Sequence, residues 1–158
     1  MIIRNSTEAD GECLSMWLDD PHVMRWFPVC DKREIDDTIR IWLGYRKQET
    51  ALTIEKDGKP VGMAVLYLHP YKKIAHQALF AIIIDKNERG KGYGTLLLQA
   101  VEKRAKEKGV SLLHLEVYEG NPAERLYARS GFVEYARHPH FIKDSGEYLT
   151  KIMMQKTI

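Results

Sequence analysis

The run Arg89-Gly90-Lys91-Gly92-Tyr93-Gly94-Thr95 combines residue types that suit one task, the holding of an anion. Glycines at alternate positions leave the backbone bare, so successive N–H groups can turn toward a single charged group. The following segment has helical period, and a helix opening here adds unpaired amides and the positive end of its dipole. Arg89 and Lys91 put cationic side chains at the same mouth. Before the run stands an apolar, strand-like segment, residues 79–84. Strand, basic glycine turn and helix start together describe a phosphate cradle.

Spacing narrows the class of cradle. A dinucleotide-binding turn needs Gly-x-Gly-x-x-Gly, whereas the third glycine here falls one residue early. A P-loop needs Gly-Lys followed by Ser or Thr, and that triplet does not occur in the chain. What remains is Arg-x-x-Gly-x-Gly, carried by Arg89, Gly92 and Gly94 behind a turn at Asp85. Standing alone, the run reads more readily as a glycine-rich turn that caps a helix.

Periodicity outlines the elements that must position this turn. Ile2-Ile3 starts a short strand, and Thr7 with Asp10 reads as a capping box. Cys13, Leu14, Trp17 and Leu18 then share one helical face until Asp19-Asp20-Pro21 stops it. An aromatic-bearing turn spans 22–27, and Asp31 with Glu34 forms a second box before the stripe Ile35, Ile39, Trp42, Leu43. Residues 51–55 and 61–68, joined by Lys56-Asp57-Gly58-Lys59, predict an antiparallel hairpin. A third strand covers 74–84, and its four apolar residues at 81–84 imply burial on both faces. The helix after the glycines turns Leu97, Leu98, Val101 and Ala105 inward and stops at Gly109. A strand at 112–117 leads to Asn121, which caps a helix with Pro122 in its first turn and Glu124 at its third position. Gly131 ends that helix, 132–136 and 147–154 pair, and 137–146 is an irregular connection. This order predicts an α/β chain with one mixed sheet and helices on both faces.

A length of 158 residues suits one domain, 1–158, that buries roughly two-thirds of its unfolded surface. Hydrophobic content of 44% and charge of 29% are those of an ordinary soluble domain. A net charge of +2 supplies no field that would draw nucleic acid or an anionic membrane. The distribution says more. Residues 6–20 carry five acids and no Lys or Arg, whereas 86–109 carry seven bases against three acids. Cys13 and Cys30 lie outside any CxxC or His cluster, so no metal site is expected and a reduced, cytoplasmic setting is the default. Met1-Ile2-Ile3-Arg4-Asn5 lacks a signal peptide's apolar stretch, and no apolar run reaches the ~18 residues of a membrane span.

A second stretch joins the glycine run. Leu115-Glu116-Val117-Tyr118-Glu119-Gly120-Asn121 ends a strand, and a helix carrying Tyr127 follows and closes at Gly131-Phe132. With Arg89, Gly92 and Gly94 ahead of it, the pair resembles the GNAT superfamily of N-acetyltransferases, well over residues 50–135 and loosely over the first 48. The resemblance implies a GNAT fold, a mixed and mostly antiparallel sheet of six to seven strands with helices on both faces. It implies acetyl-CoA as donor and a primary amine, on a small molecule or a peptide, as acceptor. In this likeness Arg89, Gly90, Lys91, Gly92, Tyr93, Gly94 and Thr95 cradle the coenzyme A pyrophosphate. Asn121 holds the pantetheine arm, and Ile82 and Ile84 pair with that arm through their backbone, like an added strand. Tyr127 matches the phenol beside the sulfur. The opening, Thr7-Glu8-Ala9-Asp10 through Trp17 to Val23, is similar to the branch of ribosomal-protein and aminoglycoside acetyltransferases.

Chemistry sets the remaining roles. The amine must lose a proton to attack a thioester, and the departing thiolate must gain one. A phenol of ordinary pKa about 10 is protonated at neutral pH and suits the acid. The base stays open. Many relatives carry a Glu six residues before the position of Ile84, where this chain has Ala78. Glu116, five residues before Asn121, matches the base of the ribosomal-protein alanine acetyltransferase branch, and His76 or a water chain are the other options. Asp19, Asp20, Asp31, Glu34, Asp36 and Asp37 form either a site for a cationic acceptor or a solvated surface with helix caps. The missing Glu at Ala78 favours the alternative of a non-catalytic acyl-CoA-binding sensor, and Tyr127 opposes it. Basic residues without interleaved aromatics argue against nucleic acid as a partner. Monomer and homodimer both stay open.

Overall fold

A computed structural model describes residues 1–158 and shows one seven-stranded sheet in the order β1-β2-β3-β4-β5-β7-β6. The strands are β1 (Ile2–Asn5), β2 (Ala51–Lys56), β3 (Lys59–Leu68), β4 (Gln77–Ile84), β5 (Leu112–Tyr118), β6 (Val133–Asp144) and β7 (Glu147–Thr157). Helices α1 (Asp10–Leu18), α2 (Pro21–Met24) and α3 (Lys32–Gly44) separate β1 from β2. Helix α4 (Tyr93–Glu107) joins β4 to β5, and α5 (Ala123–Arg129) joins β5 to β6. Every pairing is antiparallel except β4 with β5. This is the mixed architecture the GNAT resemblance implies.

Side-chain alternation gives the sheet two apolar faces. Leu97, Leu98, Val101 and Ala105 of α4, with Tyr127 and Phe132, pack on Phe80, Leu113, Leu115 and Val117. On the other face Leu14, Trp17, Leu18, Ile35, Trp42 and Leu43 pack on Met63, Val65 and Ile83. The β2–β3 hairpin turns at Asp57 (φ 51°) and Gly58 (φ 77°), the paired positive angles of the turn that Asp-Gly favours.

Four expectations need correction. Thr7 offers α1 no side-chain cap; instead its amide donates to Asp10 Oδ2 at 2.7 Å, the return half of a capping box. Asp10 is only 2% exposed and also accepts from Arg4 Nη1 (2.7 Å), Arg4 Nη2 (2.9 Å) and Thr53 Oγ1 (3.0 Å), so it ties α1 to β1 and β2. The third strand begins at Gln77, which leaves His76 exposed in the preceding turn. Of the apolar residues 81–84 only Ile83 is buried, because β4 loses its neighbour on one side before it ends. The segment 137–146 is mostly strand: Pro139 cannot donate to the ladder, the register shifts between His138 and Ile142, and pairing then resumes to Asp144↔Glu147. No helix is long and apolar enough to cross a membrane.

Candidate active site

The only parallel contact decides where a ligand can enter. β4 and β5 pair through Gln77↔Leu112, Ala78↔Leu113 and Leu79↔His114, and then part. Beyond that point each strand keeps its antiparallel partner on the outer side, β3 for β4 and β7 for β5. A cavity of about 630 Å³ occupies the opening.

The backbone of β4 faces this opening at alternate residues. The amide of Asp85 donates to Val61 at 2.9 Å, which places Asp85, Ile83 and Ala81 in the hydrogen-bonded pairs with β3. Ile82 and Ile84 therefore turn their N–H and C=O groups into the opening. Arg89 Nε already reaches the Ile84 carbonyl at 3.4 Å. An extended amide-bearing ligand would find a free strand edge here.

At the end of β4 the chain makes a short turn, Lys86–Glu88, and then the glycine run. None of the backbone amides from 92 to 95 donates to another protein group. Gly92, at φ 87°, is the N-terminal boundary of α4 and gives it no side-chain cap. Gly90 takes φ 75°, and a Cβ at either glycine would meet nothing within 4 Å, so the space over the loop is open. Successive free amides at a helix N-terminus, under open space, fit a phosphate group. Gly94 serves packing instead: its absent Cβ would lie 3.1 Å from Leu126 Cδ2, so α4 and α5 approach closely there.

The charges around the cradle differ from expectation in one respect. Arg89 lines the cavity, but Lys91 turns away to Glu88 at 3.0 Å and leaves only its amide to the loop. Arg129, at the end of α5, takes its place: it lines the cavity and donates to Thr95 Oγ1 at 3.4 Å. Nothing in the sequence pattern singled Arg129 out. Its position becomes legible only once α5 is seen packed beside the start of α4.

Ile82, Ile84, Arg89, Gly90, Gly92, Tyr93, Gly94, Thr95, Glu116, Asn121 and Tyr127 all line the one cavity. Asn121 Oδ1 accepts from the Ala123 amide at 3.0 Å, and Glu124 Oε1 accepts from the Gly120 amide at 2.8 Å, so the turn into α5 is held from both ends. The cap uses the Asn121 oxygen and leaves its NH₂ donors to the cavity.

Tyr127 is 7% exposed, with edge-on contacts to Phe80 and Phe132 at centroid distances of 6.0 and 6.1 Å. Burial pushes its phenol up to about 12, so the group holds its proton through the neutral range. Glu116 lies on the opposite face of β5 from Leu115 and Val117, with Lys151 Nζ at 3.1 Å from its Oε1. Tyr127 and Glu116 thus line the opening from its two sides. Ala78 is fully buried in the α4 face of the sheet, and exposed His76 lies outside the cavity lining.

The acids of the first helices do not form a cationic-acceptor site. Asp20 accepts from the His22 amide and pairs with Lys86, Asp31 accepts from the Glu34 amide, and Glu34 accepts from the Cys30 amide. Asp36 pairs with Lys32 and Asp37 with Arg40. Asp19, Asp20, Asp31, Glu34, Asp36 and Asp37 are all absent from the cavity lining. Aromatic residues that the sequence reading assigned to no site take that wall: Trp26, Phe27, Trp42, Tyr67 and Tyr118.

The chain is similar to known proteins in sequence and in fold. A ribosomal protein bS18-alanine N-acetyltransferase of Haemophilus influenzae is 42% identical over 77 residues, 48% of this chain and 53% of that one. The chain spans about half the length of the curated relatives it matches, or less. A ribosomal-protein-alanine N-acetyltransferase from Brucella melitensis superposes with a TM-score of 0.81 at 26% identity, covering 100% of both chains. The yncA protein of Salmonella typhimurium, solved with its cofactor acetyl-CoA, has the same fold, with a TM-score of 0.83 at 19% identity over 99% of this chain and 92% of that one. The family model described as acetyltransferase (GNAT) family matches residues 14–132, most of the chain and every element that borders the opening between β4 and β5, and the chain belongs to that family.

Proposed function

We propose that this chain is an acetyl-CoA-dependent N-acetyltransferase that moves an acetyl group to a primary amine by direct attack in a ternary complex. The observation that carries this reading is a single opening that has the unpaired amides of the α4 start, Gly92 to Thr95, at one end and the buried phenol of Tyr127 in its lining. The GNAT family supplies the donor, acetyl-CoA, whose thioester is an activated acyl group. Here the amides of 89–95, with Arg89 and Arg129, bind its pyrophosphate, and the edge of Ile82 and Ile84 with Asn121 aligns the pantetheine amides.

Tyr127 holds a proton at Oη toward the departing sulfur. Full transfer from a phenol near 12 to a thiolate of ordinary pKa about 8.5 is uphill by ~5 kcal/mol. The same apolar wall also disfavours the thiolate, which narrows that gap. Tyr127 therefore acts first as a hydrogen-bond donor where negative charge develops, and proton transfer completes as the sulfur leaves. Glu116 takes the amine proton, directly or through a water, from the other side of the opening. Lys151 fixes one of its oxygens and leaves the second free to accept.

The direct test incubates the purified protein with acetyl-CoA and a panel of amines, following thiol release and the mass of the acetylated product. Thiol release that requires an amine establishes the transferase. Tight acetyl-CoA binding with no turnover on any amine would instead establish the sensor, a reading that buried Ala78 favours by leaving no acid at the place many relatives use.

A further inference from the structure

Within that proposed transferase, the acceptor side of the cavity has a chemical character of its own. Its wall is Trp26, Phe27, Ile41, Trp42, Tyr67 and Tyr118. These aromatics brace one another and their neighbours. Phe27 meets Trp42 edge-on at 6.4 Å, Tyr67 meets Tyr45 at 5.1 Å, and Tyr118 meets Phe141 at 6.3 Å. The Arg25 guanidinium lies 4.4 Å over the Trp26 ring, and Trp26 reaches to within 3.9 Å of where a Gly120 Cβ would stand. Trp26 thus spans from the α2 side of the opening to the β5–α5 turn. Ile41 is 52% exposed, so the apolar wall continues outward to the mouth.

Charge on this side is balanced. The two carboxylates that line the cavity are both paired, Glu116 with Lys151 at 3.1 Å and Glu88 with Lys91 at 3.0 Å. No carboxylate is left over for a second positive charge on the acceptor. The lining cations, Arg89 and Arg129, stand at the cofactor end, and the two beside the acceptor wall are committed, Arg25 over the Trp26 ring and Lys151 to Glu116, so an acceptor carboxylate finds no free partner either. A charged substituent would lose its water here without compensation.

We infer that the acceptor is a monoamine whose single substituent is apolar, of aryl or branched-alkyl size, and carries no second charge. Polyamines, aminoglycosides and free acidic amino acids are then poor substrates. An apolar side chain beside a primary amine is also found at a peptide N-terminus that begins with Phe or Leu, and the panel below separates that source from a free amine.

The test compares 2-phenylethylamine, isoamylamine, a Phe-led tripeptide amide, spermidine, kanamycin and glutamate. Binding is read without turnover, by quenching of tryptophan fluorescence and by calorimetry in the presence of coenzyme A, and kcat/KM is read in parallel. Burial of one aryl group predicts about 10- to 100-fold tighter binding for the apolar amines than for spermidine. Ile41→Asp, at an exposed position that the fold tolerates, should reverse much of that preference by giving a second cation a partner. Trp26→Ala should weaken 2-phenylethylamine about tenfold and leave spermidine unmoved. Preference for spermidine, kanamycin or glutamate by the parent, or unchanged selectivity in Ile41→Asp, overturns the inference. Preference for the tripeptide over the free amines keeps the apolar pocket and assigns it to peptide N-termini. Failure to bind acetyl-CoA would sink the transferase reading by itself, while amine binding read by fluorescence still decides this one.

Discussion

Tyr127→Phe removes a phenol oxygen and nothing else. The ring keeps its contacts with Phe80 and Phe132, and the hydroxyl, on which burial alone acts, has no hydrogen-bond partner within the protein to lose. Stability should therefore change by about 1 kcal/mol at most, which moves Tm by roughly 2–4 °C for a chain of this size. Acetyl-CoA affinity, measured by calorimetry, should stay within about twofold, because the unpaired loop amides are untouched. Turnover should fall by roughly 10²-fold, about 2.7 kcal/mol of transition-state stabilisation, if the hydroxyl supplies the sulfur with its proton. The pH dependence adds a sharper constraint. Burial raises the phenol to about 12, so its acid form persists throughout the pH range in which the protein can be assayed. The parent's kcat should show no alkaline limb owed to Tyr127 below about pH 11. Two results would refute the reasoning: an unchanged kcat in the variant, or a parental limb near pH 9–10 that vanishes with the hydroxyl.

Other perturbations address other parts of the site. Glu116→Gln should lower kcat/KM most on the acidic side of the pH profile, where the amine arrives protonated, and recover at alkaline pH, where free amine is abundant. A profile that keeps its shape assigns deprotonation to solvent. Arg129→Ala should weaken acetyl-CoA by about three- to tenfold and flatten the salt dependence of binding, whereas Lys91→Ala, with its ammonium committed to Glu88, should do less than either Arg129→Ala or Arg89→Ala. Asp10→Ala leaves Arg4 without its buried partner and should cost ~3 kcal/mol, seen as a lower Tm. Burial alone would raise the Asp10 carboxyl, but its bonds from Arg4, the Thr7 amide and Thr53 outweigh that and hold it below its ordinary value. Its contribution is thus complete above about pH 4 and fades as pH falls through the lower folded value, so the acid loss of Tm in the parent should be shallower in the variant.

The aromatic wall shows why an acidic stretch is a poor guide to an acceptor. Asp20, Asp31 and Glu34 sit where a cationic ligand could be imagined, yet each carboxylate accepts a bond from a backbone amide near a helix start. Residue type announces a charge but leaves its partner unspecified. Most of the partners here are local, within four residues in sequence, and only Asp20 reaches a distant one, Lys86.

Local chemistry was enough for the parts that act locally. Glycine spacing and the helical period that follows already describe the open, positive-φ helix start at Gly90 and Gly92, because such backbone angles are properties of a few consecutive residues. The Asn121-Pro122 cap and the Asp57-Gly58 turn were legible for the same reason. Strand and helix order, read from periodicity, was enough for a mixed sheet covered on both faces. Three features belong to the tertiary structure alone: the parting of β4 from β5 beyond Leu79 and His114, Arg129 in place of Lys91, and Trp26 reaching to the turn at Gly120. Each depends on the position of one element against another far along the chain. Alternation within a strand gives the face on which Glu116 or Ile82 stands, but only the packed sheet decides that the face opens onto a cavity.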